Sequence, residues 1–195
     1  MKKLVGILAL QGDFVEHAQA IAACGAKSKL VKTARDLAGI DALIIPGGES
    51  TTMGIIAQKN NLVKPLQRYI KSDKPVWGTC AGMILLADKV EKQKQNGQII
   101  LGGLDITVSR NFFGRQLQSF AASLSVPILS ESLLDVVFIR APGITKTGPG
   151  VEVLAEYNFG GKNIPVAVRQ GNILATSFHS EITKNKDFHE YFLSF

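Results

Sequence analysis

The sequence predicts an α/β fold with a doubly wound, mostly parallel central sheet, helices on both faces and a smaller mixed or antiparallel extension. In the first half, short apolar runs alternate with helical segments, which is the β-α-β-α-β order of a parallel sheet with right-handed crossovers. In the second half, several segments alternate apolar and polar residues, which predicts further strands with fewer helices. A chain of 195 residues, 46% of them hydrophobic, is long enough for one domain with a full core.

The first half opens with a near-continuous apolar run at residues 3–10, as expected for a strand that is buried on both faces. Asp13 is a candidate N-cap for a helix that ends near Cys24, with Gly25 as its stop signal. The next predicted elements are a strand, a short helical piece and a strand, which begin at residues 28, 34 and 42. They are followed by a helix that runs toward Lys59 and by a further helix that begins at residue 62.

A glycine-rich loop, Pro46-Gly47-Gly48-Glu49-Ser50-Thr51-Thr52, follows the third predicted strand. In a doubly wound sheet, functional loops lie at the carboxyl ends of the strands. The two glycines let the backbone approach a ligand closely, and Ser50 or Thr51 can cap the following helix. The loop lacks the Walker lysine and the G-x-G-x-x-G spacing. A phosphate site, a substrate or oxyanion loop, and a plain tight turn therefore remain open.

Residues 76–83 run from a strand through a sharp turn into a helix, and Cys80 lies at the turn. Gly78 and Gly82 flank the cysteine two positions away on each side, which is the logic of the G-x-S-x-G nucleophile elbow with sulfur in place of oxygen. The N–H groups at the start of the helix favour a thiolate at this position. The alternative is a small buried cysteine beside a helix start.

After a polar stretch at residues 88–98, predicted as a surface loop, Gly102-Gly103 break the chain. A loop at residues 110–116 carries two arginines and two phenylalanines. The predicted strands of this half are residues 104–109, 120–126, 136–139, 151–157, 164–169 and 172–177. There is no internal repeat and no low-complexity linker, so a single domain over residues 1–195 is predicted.

The last predicted strand leads into His179-Ser180-Glu181. Side chains two apart in extended chain share a face, so Glu181 can hold the imidazole of His179 in one tautomer. The other ring nitrogen is then free to take a proton from a thiol, and the two sites can meet at one sheet edge. His17, on a helix, and His189, in a polar tail, have no motif around them and are predicted to be surface histidines.

The net charge of +6 does not indicate nucleic-acid binding, because the lysines and arginines are dispersed and form no basic helix. It favours solubility or an acidic protein partner. No apolar run has the length of a membrane span, and the N-terminal run is interpreted as a buried strand rather than a signal peptide. Cys24 and Cys80 make no disulfide framework, which favours a cytoplasmic location.

Taken together, these motifs resemble the class I (triad) glutamine amidotransferases. A cysteine elbow and a late H-x-E are shared by all of them. The P-G-G-E-S-T, R-N-x-F-G-R-Q and F-I-R-A-P segments narrow the resemblance to the vitamin B6 branch, the glutaminase subunits of pyridoxal 5′-phosphate synthase. The matching segments follow the family's order over nearly the whole chain, at residues 6–12, 46–53, 78–83, 110–116, 138–142 and 177–181.

The resemblance implies hydrolysis of L-glutamine to L-glutamate and ammonia by one glutamine amidotransferase domain. Cys80 would form a glutamyl thioester, His179 would move the proton, and Glu181 would orient His179. Backbone N–H groups near Gly48 and at Ala81 would hold the oxyanion. The positions that align with the family's glutamine-binding residues are Gly48, Glu49, Ser50, Arg110, Ile139 and Arg140.

The resemblance further implies a hetero-oligomer with a (β/α)₈-barrel synthase subunit, which receives the ammonia, and neither a metal nor a cofactor in this subunit. The glutaminase would be poorly active until it docks. Two residues depart from the family pattern: Ser180 replaces a proline, and Ala121 replaces an acidic residue. The alternatives are the glutaminase subunit of another biosynthetic amidotransferase, such as that of histidine synthesis, and a non-catalytic regulatory subunit.

Overall fold

The computed structural model describes residues 3–91, 98–113, 119–129 and 133–195. The strands in this part of the chain are β1 (Leu4–Leu8), β2 (Lys27–Val31), β3 (Ala42–Ile45), β4 (Val76–Thr79), β5 (Ala87–Val90), β6 (Leu104–Ser109), β7 (Ser119–Ser125), β8 (Leu133–Ile139), β9 (Gly143–Thr147), β10 (Glu152–Phe159), β11 (Lys162–Gln170) and β12 (Ile173–Thr176). The α-helices are α1 (Phe14–Ala23), α2 (Ser50–Lys59), α3 (Val63–Ile70), α4 (Ala81–Leu86) and α5 (Asp187–Leu193), and a 3₁₀ helix spans Ala34–Leu37.

The central sheet has the strand order β10-β11-β12-β4-β3-β1-β2. The strands from β12 to β2 are parallel, whereas β11 runs antiparallel to both of its neighbours. The doubly wound, mostly parallel sheet predicted from the sequence is confirmed. β4 lies between β3 and β12, with Thr79 opposite Thr176. Segments that are far apart in sequence therefore end side by side at one edge of the sheet.

Alternating side chains of the central strands pack into two cores, one on each face of the sheet. On β3, Leu43 and Ile45 join the first core, whereas Ala42 and Ile44 join the second. Buried residues of α2, α3 and α4 complete the first core, and those of α1 and α5 complete the second. Helices thus cover both faces, which is why these strands are apolar on both sides.

The smaller extension consists of two further sheets. β5, β6 and β9 form a mixed three-stranded sheet, and β7 pairs with β8 in antiparallel register. An isolated antiparallel bridge joins Val137 of β8 to His179, just beyond β12. This bridge connects the extension to the carboxyl edge of the central sheet.

Two sequence predictions of elements were wrong, and one strand was missed. The loop predicted at residues 88–98 begins instead as β5, paired with β6, and residues 92–97 lie outside the described part. The missed strand is β9, at Gly143–Thr147. The polar tail around His189 contains α5, which buries Phe188, His189 and Phe192. These segments are short and mixed in polarity, so neighbouring strands and cores stabilise them rather than local propensity.

The loop predicted at residues 110–116 is described as far as Phe113 and ends outside the described part. Among the described residues, no helix combines the length and the apolar composition that crossing a bilayer requires.

Candidate active site

Cys80 lies on the sharp turn between β4 and α4. Its φ of 48° and ψ of −101° are a strained conformation for a residue with a side chain. A Cβ on Gly78 would lie 2.6 Å from the backbone of Gly82, and one on Gly82 would clash with the carbonyl oxygen of Ile45. The flanking glycines therefore let the turn pack against β3, as the elbow prediction requires.

His179 follows β12, the strand next to β4. The Cys80 N–H donates to the Thr176 carbonyl oxygen at 2.8 Å, and the His179 N–H donates to the Val137 carbonyl oxygen, also at 2.8 Å. These bonds fix both residues at the carboxyl edge, where their side chains line one cavity. The predicted meeting of Cys80 and His179 is confirmed, because their strands are parallel neighbours.

The imidazole of His179 is held by two carboxylates. Its Nδ1 lies 2.6 Å from Oε1 of Glu181 and 3.3 Å from Oδ2 of Asp13, which leaves Nε2 available to the thiol. Burial alone would lower the pKa of His179, but hydrogen bonds to Asp13, Cys80 and Glu181 and the charge of Glu181 raise it to about 12. The imidazolium form is therefore strongly favoured beside the sulfur.

Ser180, the residue between them, does not disturb the i, i+2 geometry of His179 and Glu181. Its carbonyl oxygen accepts from the Thr183 N–H at 3.2 Å and from the Thr183 hydroxyl at 2.9 Å. These bonds form a turn that holds the segment without proline. Nothing in the structure explains Ala121, an exposed residue of β7 opposite Val137.

The sequence-based reasoning missed the contact between Asp13 and His179. Asp13 is the N-cap residue of α1, as predicted, but its side chain makes no capping hydrogen bond and points to His179 instead. It reaches the site because β1 lies beside β3 and ends at the same edge of the sheet. Only the strand order, which local sequence does not contain, could have revealed this contact.

The glycine-rich loop lies between β3 and α2, on the other side of Cys80. The N-cap residue of α2 is Glu49, rather than the predicted Ser50 or Thr51. The Glu49 carboxylate accepts from the Thr51 N–H at 3.1 Å and from the Thr52 N–H at 2.7 Å. Partial burial would raise the pKa of Glu49, but these hydrogen bonds, including one from the Thr52 hydroxyl, lower it to about 2.

Glu49 also connects the loop to two other segments. Its carboxylate lies 3.0 Å from the guanidinium of Arg110, which donates in addition to the Thr51 hydroxyl at 3.2 Å. Its backbone N–H donates to Oε1 of Gln11 at 2.6 Å. Residues just after β1, β3 and β6 are thereby joined at the mouth of the site.

The glycines of this loop permit close packing around the imidazole. A Cβ on Gly47 would clash with the ring of His179, and one on Gly48 would lie 2.6 Å from Oε1 of Gln11. Larger residues would displace the base or the loop. The loop therefore belongs to the cavity wall, and a plain tight turn does not describe it.

These segments enclose a cavity of about 320 Å³, near the lower end of the usual range for small-ligand pockets. Every predicted site residue lines this cavity except Glu181, which is buried behind His179. The lining residues are Gln11, Asp13, Gly48, Glu49, Ser50, Cys80, Ala81, Ile84, Arg110, Asn111, Ile139, Arg140 and His179. Gln11, Asp13, Ile84 and Asn111 were not predicted.

Several lining groups face the cavity with unused hydrogen-bonding capacity. The buried Ser50 hydroxyl finds no hydrogen-bond partner within the described residues. Ala81 is the first residue of α4, so its N–H has no acceptor within the helix. The thiol of Cys80 makes a long contact of 3.9 Å with the carbonyl oxygen of Ile139. The cavity thus offers a nucleophile, donors and charges of both signs.

Asp13, His179 and Glu181 also have the composition of a metal-binding group, with potential ligand atoms within 4.8 Å of one another. The Nδ1 of His179 is already occupied by the Glu181 carboxylate. The group therefore fits a carboxylate-oriented base better than a metal centre.

The prediction that His17 and His189 are surface histidines was wrong, because both are fully buried. Their rings lie behind Glu181, on the face of the sheet covered by α1 and α5. Both carry a lowered pKa. That of His17 falls far below its ordinary value because of burial and the nearby His189 and His179, and burial lowers that of His189 to about 4.

The fold is that of a glutamine amidotransferase, and its cavity brings together the cysteine and histidine predicted for the site. The model of the SNO glutamine amidotransferase family matches residues 7–195, and the chain belongs to that family. The chain is similar to pyridoxal 5′-phosphate synthase subunit PdxT of Pelotomaculum thermopropionicum, with 51% identity over 97% of this chain and 93% of the relative. It is 45% identical to the probable pyridoxal 5′-phosphate synthase subunit PDX2 of Arabidopsis thaliana, over 97% of this chain and 84% of the relative.

Among solved structures, one described as a glutamine amidotransferase is similar at 44% identity and a TM-score of 0.88, covering 97% of both chains. The predicted family and fold are therefore both confirmed.

Proposed function

We propose that this chain is the glutaminase subunit of a pyridoxal 5′-phosphate synthase and hydrolyses L-glutamine to L-glutamate and ammonia. The observation that supports the proposal most directly is the shared cavity of Cys80 and His179, with Glu181 bonded to the far side of the imidazole. Relatives that are about half identical over nearly their whole length are named as subunits of that synthase.

In the first half-reaction, Cys80 gives its thiol proton to Nε2 of His179, and its sulfur attacks the side-chain amide carbon of glutamine. Backbone N–H groups of Gly48 and Ala81 stabilise the oxyanion, and a donor of this kind is worth about 3 kcal/mol. The C–N bond then breaks, His179 gives its proton to the departing ammonia, and a glutamyl thioester remains. The raised pKa of His179 supports this step, because the imidazole must be protonated to act as an acid.

In the second half-reaction, water attacks the thioester carbon and His179 accepts the water proton. The C–S bond breaks, and glutamate leaves with Cys80 restored. Glu181 keeps Nδ1 of the imidazole paired in both steps, so the same ring nitrogen serves first as acid and then as base.

The charges at the cavity mouth suit an amino acid with a free carboxylate and ammonium. Arg110 and Arg140 offer guanidinium donors to the carboxylate. Glu49, paired with Arg110 at 3.0 Å, is the carboxylate available to the substrate ammonium. The Ser50 hydroxyl and the backbone of Ile139 line the space between these groups and Cys80.

We further propose that the ammonia passes to a synthase partner with a (β/α)₈-barrel fold, within a hetero-oligomer located in the cytoplasm. Free cysteines at positions 24 and 80 support a reducing compartment. The family match over residues 7–195 supports one glutamine amidotransferase domain over residues 1–195.

The test is ammonia release from L-glutamine by this chain reconstituted with its synthase, compared with the Cys80→Ala variant in the same complex. The expected result is release that depends on both the partner and Cys80. Equal rates for the two forms would reject the proposal. Activation only by the synthase of another pathway would reassign the subunit, and failure of a glutamine-analogue electrophile to label Cys80 would favour a non-catalytic role.

A further inference from the structure

Behind the catalytic groups lies a buried polar cluster, defined here as the histidine pair His17 and His189. Nδ1 of His17 lies 3.0 Å from Nε2 of His189, and both side chains are fully buried. Nε2 of His17 lies 3.1 Å from the Thr79 hydroxyl and 3.7 Å from Oε2 of Glu181. The pair therefore connects α5 and α1 to the carboxylate that holds the catalytic imidazole.

Glu181 has two oxygens in different environments. Oε1 is bonded to His179 at 2.6 Å, whereas Oε2 is buried without a hydrogen-bond partner among the described residues. The nearest candidate partner for Oε2 is Nε2 of His17. The distance between these two atoms is too long for a hydrogen bond but short enough for a charge–dipole interaction. The titratable groups around the carboxylate are His17 and His179, with Asp13, Cys80 and His189 beyond them.

Both histidines are neutral, since burial lowers the pKa of each. A neutral imidazole has one N–H, so one ring of the histidine pair donates to the other. If His17 donated through Nδ1, its Nε2 lone pair would face the Glu181 carboxylate. The proton of His189 would then lie on Nδ1, a buried atom that finds no partner in the described residues.

The opposite arrangement removes both problems. His189 donates through Nε2 to Nδ1 of His17, and His17 carries its proton on Nε2, directed at the Thr79 hydroxyl and Glu181. Only a ring lone pair on His189 is left unpaired, which costs less than a buried N–H without an acceptor.

We propose that His17 is a positioning residue of the glutaminase triad: its Nε2–H, oriented by His189, stabilises the Glu181 carboxylate from the side opposite His179. This inference rests on the proposed glutaminase function. Acting through Glu181, the histidine pair keeps Oε1 aimed at Nδ1 of His179. The imidazole is then held protonated on both nitrogens, ready to protonate the departing ammonia.

The first experiment compares His17→Leu with His17→Gln in the reconstituted complex. The leucine removes the donor, whereas the glutamine amide can occupy the place of Nε2–H. We expect His17→Leu to lower kcat by about tenfold to hundredfold with little change in KM, since a misplaced catalytic group costs rates of this order. A weaker Glu181 contact also lowers the pKa of His179, so the alkaline limb of the pH–rate profile moves to lower pH, and His17→Gln restores much of both.

Ile21→Ala is the matched control. Ile21 is buried one turn further along α1, so its truncation destabilises the same core without removing a contact to Glu181. It is expected to keep the wild-type pH profile. If folded His17→Leu and Ile21→Ala show the same profile, the histidine has only a structural role and the proposal fails. If His17→Leu does not fold, His189→Leu and His189→Gln are compared in the same assays, because His189 is separated from Glu181 by one more hydrogen bond.

The second experiment uses the wild-type protein alone. Nitrogen-15 NMR of labelled histidines distinguishes protonated from unprotonated ring nitrogens and is expected to find the Nε2–H tautomer for both His17 and His189. A proton on Nδ1 of His17 would overturn the inference, whatever the activity. Conversely, a wild-type complex that releases no ammonia would overturn the proposed function and leave the tautomers as a separate result.

Discussion

At the scale of single residues, the site depends on how many acceptors surround one imidazole. Glu181 supplies the shorter contact to Nδ1 of His179, at 2.6 Å, and Asp13 the longer one, at 3.3 Å. Asp13 is partly exposed, so water screens its charge, whereas the side chain of Glu181 is fully buried. We infer that Asp13 adjusts the protonation of His179, and that Glu181 determines its orientation.

The substitution Asp13→Asn tests this division of roles. Asp13 raises the pKa of His179, so the Asp13→Asn substitution lowers this pKa, and the imidazolium loses its proton at a lower pH. The alkaline limb of the glutaminase profile should therefore move to lower pH, with a smaller loss of kcat than in Glu181→Gln. Glu16→Gln, a charge removal on the same helix, is the control, and an equal response in the two α1 variants would contradict the assignment.

Gly47 provides a test of steric fit beside the base. A methyl group at this position would clash with the ring of His179, so Gly47→Ala should displace the imidazole. A displacement of about 1 Å costs a rate of the order of 100-fold, and we expect a loss of that size in kcat. Gly25→Ala is the control, since it places a side chain at positive φ with no neighbour in reach. Wild-type kcat in folded Gly47→Ala would exclude the steric role.

At the scale of elements, one residue at the beginning of α2 both caps the helix and lines the cavity. Glu49 caps the helix through two backbone N–H groups and at the same time pairs with Arg110 at the cavity mouth. Serine and threonine are preferred N-cap residues, but in this helix the N-cap is the glutamate that precedes them. The cap therefore fixes the orientation of a group that also lines the cavity.

Glu49→Ala should destabilise the protein by about 1 kcal/mol at neutral pH through loss of the cap, and should raise KM. The folded-state pKa of Glu49 is depressed to about 2 from 4.5, so its contribution to stability is present above pH 4.5 and is lost as the pH falls toward 2. Urea unfolding of both proteins at pH 7 and pH 3 checks this. A stability difference that does not narrow in acid would contradict the capping role.

The sequence predicted some elements and not others for identifiable reasons. The buried strands β1, β3 and β4 are short, largely apolar runs that each begin after a charged residue or a proline, so their pattern alone was sufficient. α5 has only seven residues and is held by the second core, and β5 is a short strand with two exposed residues between two buried ones. Their formation depends on neighbours that a local pattern does not reveal.

The candidate site divides in the same way. The i, i+2 relation of His179 and Glu181 and the elbow at Cys80 are local, and both were predicted. Asp13 and the histidine pair reach the site through strand order and helix packing, which no spacing in the sequence specifies.

At the scale of the whole molecule, a cluster of aromatic side chains in the second core joins α5 to β4, the strand that precedes Cys80. Phe188 of α5 stacks on Trp77 of β4 with ring centroids 6.2 Å apart and meets Phe178 edge-on at 5.2 Å. Trp77 also contacts His17 and His189 at ring-centroid distances of 5.4 and 4.8 Å. Packing and the polar support of Glu181 thus depend on the same helix.

Phe188→Ala should cost about 3–5 kcal/mol in the free energy of unfolding, because it opens a cavity in this fully buried group. Val15→Ala, which changes a side chain 48% exposed, should stay within about 0.5 kcal/mol of wild type. Urea denaturation measures both. A small effect of Phe188→Ala would mean that α5 contributes little to the stability of the second core.

The position of β12 between β4 and β11 has a consequence for biosynthesis of the chain. During translation Cys80 leaves the ribosome long before β12 and the histidine that follows it, and until β12 inserts, β4 has no neighbour on that side. A nascent chain interrupted before Ile173 therefore contains Cys80 without His179. Any reaction that needs both the sulfur of Cys80 and the imidazole of His179 must therefore wait until the last strand of the central sheet is in place.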